Sequence, residues 1–163
     1  MLIIRRPASR GFSIIEMLIV LAILGVLGTM STTFLLAAKP HAELEQAELQ
    51  LVAHLNAARH LALSEESQTR MRFDTTTNPD QYWVERFDAA TSNWIDANMP
   101  LYNIPSGVTI SGNTFSAGTV TYNTRGSLVS GGTITLSSST GETSTFTGNL
   151  ATGRFQFGAG NLR

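Results

Sequence analysis

Residues 12–38, within "RGFSIIEMLIVLAILGVLGTM" and its continuation, form a run of 27 mostly apolar residues with one ionisable side chain, Glu16. As a helix this run would extend about 40 Å at 1.5 Å per residue, enough to cross a ~30 Å hydrocarbon core with some tilt. A secretory signal peptide has a shorter apolar region, about 7–15 residues, ahead of a small-residue cut site. The run here is longer and ends in "FLLAAKPHAE", a poor cut site, which points to membrane retention. Arg5, Arg6 and Arg10 precede it, so the leader is expected on the cytoplasmic side and the bulk of the chain outside. A carboxylate inside such a run costs roughly 2.5–3.5 kcal/mol near a helix centre, so Glu16 needs a reason.

The rest of the 163-residue chain suits one domain beyond an anchor. The formal net charge of −1 shows no general affinity for polyanions. Beyond residue 96, however, Arg125, Arg154 and Arg163 face only Glu142. With no cysteine, disulfides and thiolate metal sites are excluded.

After Pro40 the pattern becomes amphipathic. Leu44, Ala47, Leu51, Leu55, Ala58 and Ala62 recur at steps of three and four, one stripe of a helix. Glu43, Glu45, Glu48, Gln50 and His54 fall mostly off it. One long helix is expected from about Phe12 to Ser67, bent at Pro40 where a backbone donor is lost. From Arg70 onward, "MRFD", "QYWVERFD", "GVTISG", "GTVTYN", "GTITLSSS", "ETSTFTG" and "GRFQF" alternate as short strands. Turn chemistry separates them, including "TTTNPD" and "MPLYNIPSG", and short strands with tight turns predict antiparallel sheets. The fold class expected is α+β, a long N-terminal helix packed on a C-terminal antiparallel β-sheet globule. Trp83 and Trp94 are expected in its core.

The segment "RGFSIIEMLIVLAILGVL" resembles the class III signal of type IV pilins and type II secretion pseudopilins. A second resemblance, to the GspH/FimT class of minor pilins and pseudopilins, rests on "LNAARHLALSEESQTRMRFD", "TYNTRGSLVSGGTITLSSSTGE" and "ATGRFQF". Its marks are Ala58-Arg59, Arg125-Gly126 and Gly153-Arg154. The resemblance implies a leader at 1–11, cut after Gly11 by a prepilin peptidase, and a methylated Phe12 as the mature N-terminus. It implies a transmembrane and filament-core helix at 12–38, an amphipathic half at 39–68 and a β-rich domain at 69–163. Glu16 would pair with the N-terminal ammonium of a neighbouring subunit in the filament. The partners implied are other pilins, the peptidase and the inner membrane, with the β-domain in the periplasm.

No enzyme is read here, and no cofactor or metal. His41, His54 and His60 lack a partner motif and are expected to be solvated. Some members of this class bind DNA during natural transformation through a Gly-Arg-x-Arg tail. This tail keeps Gly153 and Arg154 but places Gln156 at the second arginine, with Arg163 adding a terminal charge. Two readings of Arg154 stand, an arginine closing the final strand and a phosphate contact. The function expected is a minor pilin or pseudopilin at the tip or in the initiating complex, the alternative a DNA-uptake pilin. A membrane-anchored enzyme or receptor domain would instead retain "MLIIRRPASRG".

Overall fold

The computed structural model describes residues 12–158, apart from the side chains of 29–37. The chain divides into two compact units, Met1–Ala38 and Lys39–Arg163. Helix α1 spans Ile14–Ser64 and contains Pro40. In the first unit Phe12, Ile14, Ile15, Leu18, Leu21 and Leu24 are all exposed. Contiguous apolar surface of that kind marks a face made for lipid or for protein. Among the described residues no helix is long and apolar enough to cross a membrane.

The second unit carries the core. The stripe Leu44, Ala47, Leu51, Leu55, Ala58 and Ala62 is buried along its whole length. It packs on two antiparallel sheets built from β1 (Thr69–Asp74), β2 (Gln81–Asp88), β3 (Asn93–Asp96), β4 (Tyr102–Asn103), β5 (Val108–Asn113), β6 (Thr119–Tyr122), β7 (Gly132–Ser138), β8 (Thr143–Gly148) and β9 (Phe155–Gly158). The five-stranded sheet has the order β3-β2-β1-β6, with β4 also pairing β2; the four-stranded sheet has the order β5-β7-β8-β9. Met71, Tyr82, Val84, Val120 and Tyr122 face inward from the first sheet, and Val108, Ile134, Leu136 and Phe146 from the second. The α+β architecture and its antiparallel sheets agree with the sequence expectation. Among the described residues, the whole buried core lies within Lys39–Arg163.

The two tryptophans differ from expectation. Met71 pairs with Val84 and Arg72 with Trp83, so Trp83 shares the outward side of the first sheet with the arginines. There Arg72 lies over the Trp83 ring at 5.3 Å and Arg70 over the Trp94 ring at 4.3 Å. Trp83 Nε1 donates to Glu85 at 3.0 Å, and Glu85 also takes Arg70. Burial works to raise the Glu85 pKa, but the hydrogen bonds from Trp83 and Arg70 and the charges of Arg70 and Arg72 outweigh it, and the carboxyl lies below its ordinary value. Half-buried indoles are stable there because guanidinium stacking, worth about 0.5–1 kcal/mol at exposed sites, covers them without desolvating a charge.

Candidate functional site

The residues singled out by sequence fall into two groups. Gly11 and Arg163 lie outside the described residues. Phe12 is 68% exposed and stands just ahead of α1. Glu16 lies in the first turn, where its backbone N–H donates to the Ser13 carbonyl at 3.1 Å. A carboxylate in that position is favoured by the helix dipole. Its side chain is exposed and has no ion-pair partner among the described residues.

The second group converges. Arg59 comes from α1, Gly126 from the turn after β6, and Gly153 from the turn before β9. Two asparagines build those turns. Asn123 Oδ1 accepts from the Arg125 and Ser127 N–H groups at 2.9 and 3.1 Å, and the Gly126 N–H donates to the Asn123 carbonyl at 2.9 Å. Asn149 Oδ1 accepts from the Ala151 and Thr152 N–H groups, each at 3.1 Å. The Ser127 hydroxyl joins the turns by donating to the Ala151 carbonyl at 3.0 Å. Arg59 Nε donates to the Gly126 carbonyl at 2.8 Å. Gly153 has φ +63°, and a Cβ there would overlap that same carbonyl. Glycine is required twice over, for its backbone angle and for the close approach.

Arg154 follows directly. Its backbone carbonyl accepts from the Asn149 N–H at 2.8 Å, so the backbone and not the guanidinium closes the final strand. The side chain is exposed beside a cleft of about 280 Å³ lined by Val52, Leu55, Asn56, Arg59, His60, Arg154 and Phe155.

Two of the three histidines are engaged. His54 stacks on Tyr102, centroids 3.6 Å apart, with Nδ1 2.7 Å from the Tyr82 hydroxyl. Burial lowers the His54 pKa and pushes the Tyr82 hydroxyl up, so a neutral ring meets a neutral phenol. Gln50 donates to the Asn103 carbonyl at 3.2 Å beside it. His41 Nδ1 lies 3.1 Å from Glu142, and that hydrogen bond, with the Glu142 charge, raises its pKa. The expectation of solvated histidines thus fails at His54. The signal was present: His54 is three residues from Leu51 and four from Ala58, at the rim of the buried stripe. Among the described residues no group of His, Asp and Glu side chains could hold a metal ion.

The prokaryotic N-terminal methylation motif matches residues 6–32. The type II transport protein GspH family matches residues 49–152 and takes in Arg59, Gly126 and both turns ahead of Gly153. The chain belongs to the GspH family. It is a minor pilin or pseudopilin, a class of structural subunits. No curated protein matches it. The minor pseudopilin EpsH of the Vibrio cholerae type 2 secretion system is similar at 12% identity and a TM-score of 0.56, covering 72% of this chain and 97% of that one. The type IV minor pilin FimU of Pseudomonas aeruginosa is similar at 19% identity and a TM-score of 0.56, covering 72% and 90%. At such identities these likenesses show the fold. They add nothing in favour of DNA uptake, and the second arginine of the tail motif is Gln156.

Proposed function

We propose that the chain is made with a leader at 1–11, cut after Gly11 and methylated on Phe12, and built into a type IV pilus or type II secretion pseudopilus. Residues 12–38 hold the precursor in the inner membrane, and Lys39 onward stands in the periplasm. It acts as a minor subunit of the tip or initiating complex. The observation that carries this reading is the methylation motif across residues 6–32, with Phe12 exposed and Glu16 in the first turn of α1. A lone carboxylate among packed apolar helices is costly unless an ammonium meets it, and the methylated N-terminus of a neighbour supplies one. Breaking a fully buried pair of that kind costs roughly 3–5 kcal/mol.

Mass spectrometry of the membrane form tests the reading. The expected mature chain begins with methylated Phe12, whereas retention of residues 1–11 would sink it. Glu16→Gln should be processed normally yet enter filaments poorly, since the carboxylate acts in assembly and not in cleavage.

A further inference from the structure

The cleft between α1 and the start of β9 is basic and has no carboxylate in its lining. Arg59 uses Nε on the Gly126 carbonyl, while Arg154 and His60 stand exposed at the rim. On the first sheet arginine is matched by acid, Arg70 and Arg72 pairing with Glu85 and Arg86 with Glu65, while exposed Arg125 in the turn after β6 has no acidic partner among the described residues. Arg154 has no acidic partner among the described residues. The cleft floor is apolar, formed by half-buried Val52 and Phe155 over buried Leu55. Its volume of about 280 Å³ lies just under the roughly 300–1,000 Å³ of small-molecule pockets, which suits a side chain or two of a partner better than a cofactor.

The complementary chemistry stands at the other end of the same unit. Glu43, Glu45 and Glu48 lie near the start of the packed half of α1, and Glu142 is held there by His41. Leu49, 64% exposed, stands one turn on from exposed Glu45, on the same helix face. From His41 to Arg59 the helix advances about 27 Å, so acid with leucine and base with an apolar floor occupy opposite ends. A surface with two such different ends makes head-to-tail contacts, and head-to-tail contacts that do not close into a ring extend into a filament.

We propose that this cleft receives the acidic, leucine-bearing helix face of a second copy of this chain in the filament, a carboxylate meeting Arg154 and His60 and an apolar side chain resting on Val52 and Phe155. The proposal rests on the filament reading above. The probe is a capped peptide with the sequence of residues 41–50, "HAELEQAELQ", titrated into the isotope-labelled unit Lys39–Arg163, which holds the whole described core. Amide shifts are expected at Asn56, Arg59, His60, Arg154 and Phe155, fading as salt rises. Arg154→Gln should weaken binding roughly two- to fivefold, the contribution of an exposed pair, and Arg154→Glu should abolish it. The Arg154 guanidinium makes no described bond within the fold, so both variants should keep the parent spectrum elsewhere.

Three results would overturn the proposal. They are no shifts at millimolar peptide in low salt, equal binding by the peptide with glutamine at every glutamate, and stronger displacement of the same amides by duplex DNA. A silent titration beside a correctly processed Phe12 removes this contact and leaves the filament reading standing. An unprocessed N-terminus removes the filament setting, and the proposal with it.

Discussion

The packed half of α1 is fastened differently at its two ends. At its start, His41 reaches Glu142 in the β7–β8 turn, an ionic contact on the surface. At its other end, Thr69 Oγ1 donates to the Ala58 carbonyl at 2.9 Å, Arg59 grips the buried Gly126 carbonyl, and Gly153 closes over it. Exposed ion pairs are worth about 0–1 kcal/mol, because water and salt compete for both partners. A buried carbonyl deprived of its donor costs about 1–3 kcal/mol. The end that resists change should therefore be the one where side chains are committed to backbone. That is also where Ala58-Arg59, Arg125-Gly126 and Gly153-Arg154 meet.

Two glycines give the largest contrast. Gly153 and Gly141 both have positive φ, +63° and +84°, one at each end. A Cβ at Gly141 meets nothing within 4 Å, while one at Gly153 meets the Gly126 carbonyl and Arg59. Gly141→Ala bears only the backbone strain of about 1–2 kcal/mol. Gly153→Ala must also displace the turn, and its cost should approach 3–4 kcal/mol. Urea denaturation of the Lys39–Arg163 unit measures both. Equal losses would show that crowding at Gly153 does not hold the two turns together.

Next in size is the guanidinium. Arg59→Met keeps most of the aliphatic packing and removes the donor, leaving the Gly126 carbonyl unpaired. A loss of about 1–3 kcal/mol is expected, with Arg59→Lys recovering part of it. His41→Gln, at the other end, should change stability by no more than an exposed pair contributes. An Arg59→Met unit as stable as the parent would erase the difference between the ends.

Much of this was legible in sequence, for physical reasons that also mark where legibility stopped. The helical stripe was readable because burial of one helix face forces steps of three and four. Seven strands were readable from alternation. β3 and β4 were not: "NWID" and the two-residue β4 are too short to show a period, and pairing to β2 sustains them. The face of β2 was ambiguous because "QYWVERFD" places bulky side chains at both parities. Its partner settles it, since Arg70 and Arg72 on β1 fix the outward side across the register. The meeting of Arg59, Gly126 and Gly153 joins α1 to turns 67 and 94 residues further along the chain, which no local pattern encodes. Sequence marked the three motifs, and only the fold shows that they share one carbonyl.

The finest distinction between the ends is in pH. His41, whose pKa is raised above 6.5 by Glu142, stabilises the fold in its protonated form. Its contribution is complete below 6.5 and vanishes as pH rises through the raised value. Glu45 and Glu48 face it with the same sign of effect. His54, whose pKa is lowered below 6.5 by burial, is favoured neutral against Tyr82 and Tyr102. Its contribution is complete above 6.5 and is lost as pH falls through the lowered value. The two histidines therefore push in opposite directions, His41 as pH rises above 6.5 and His54 as pH falls below it. Urea midpoints of His41→Gln and His54→Gln, compared with the parent at pH 5.5 and 7.5, should separate them. The penalty for His41→Gln should be larger at pH 5.5, and that for His54→Gln larger at pH 7.5. Penalties that move together with pH would mean that the His54 ring is as wet as the His41 ring, and the contrast between an ionic and a buried attachment would fail at this pair.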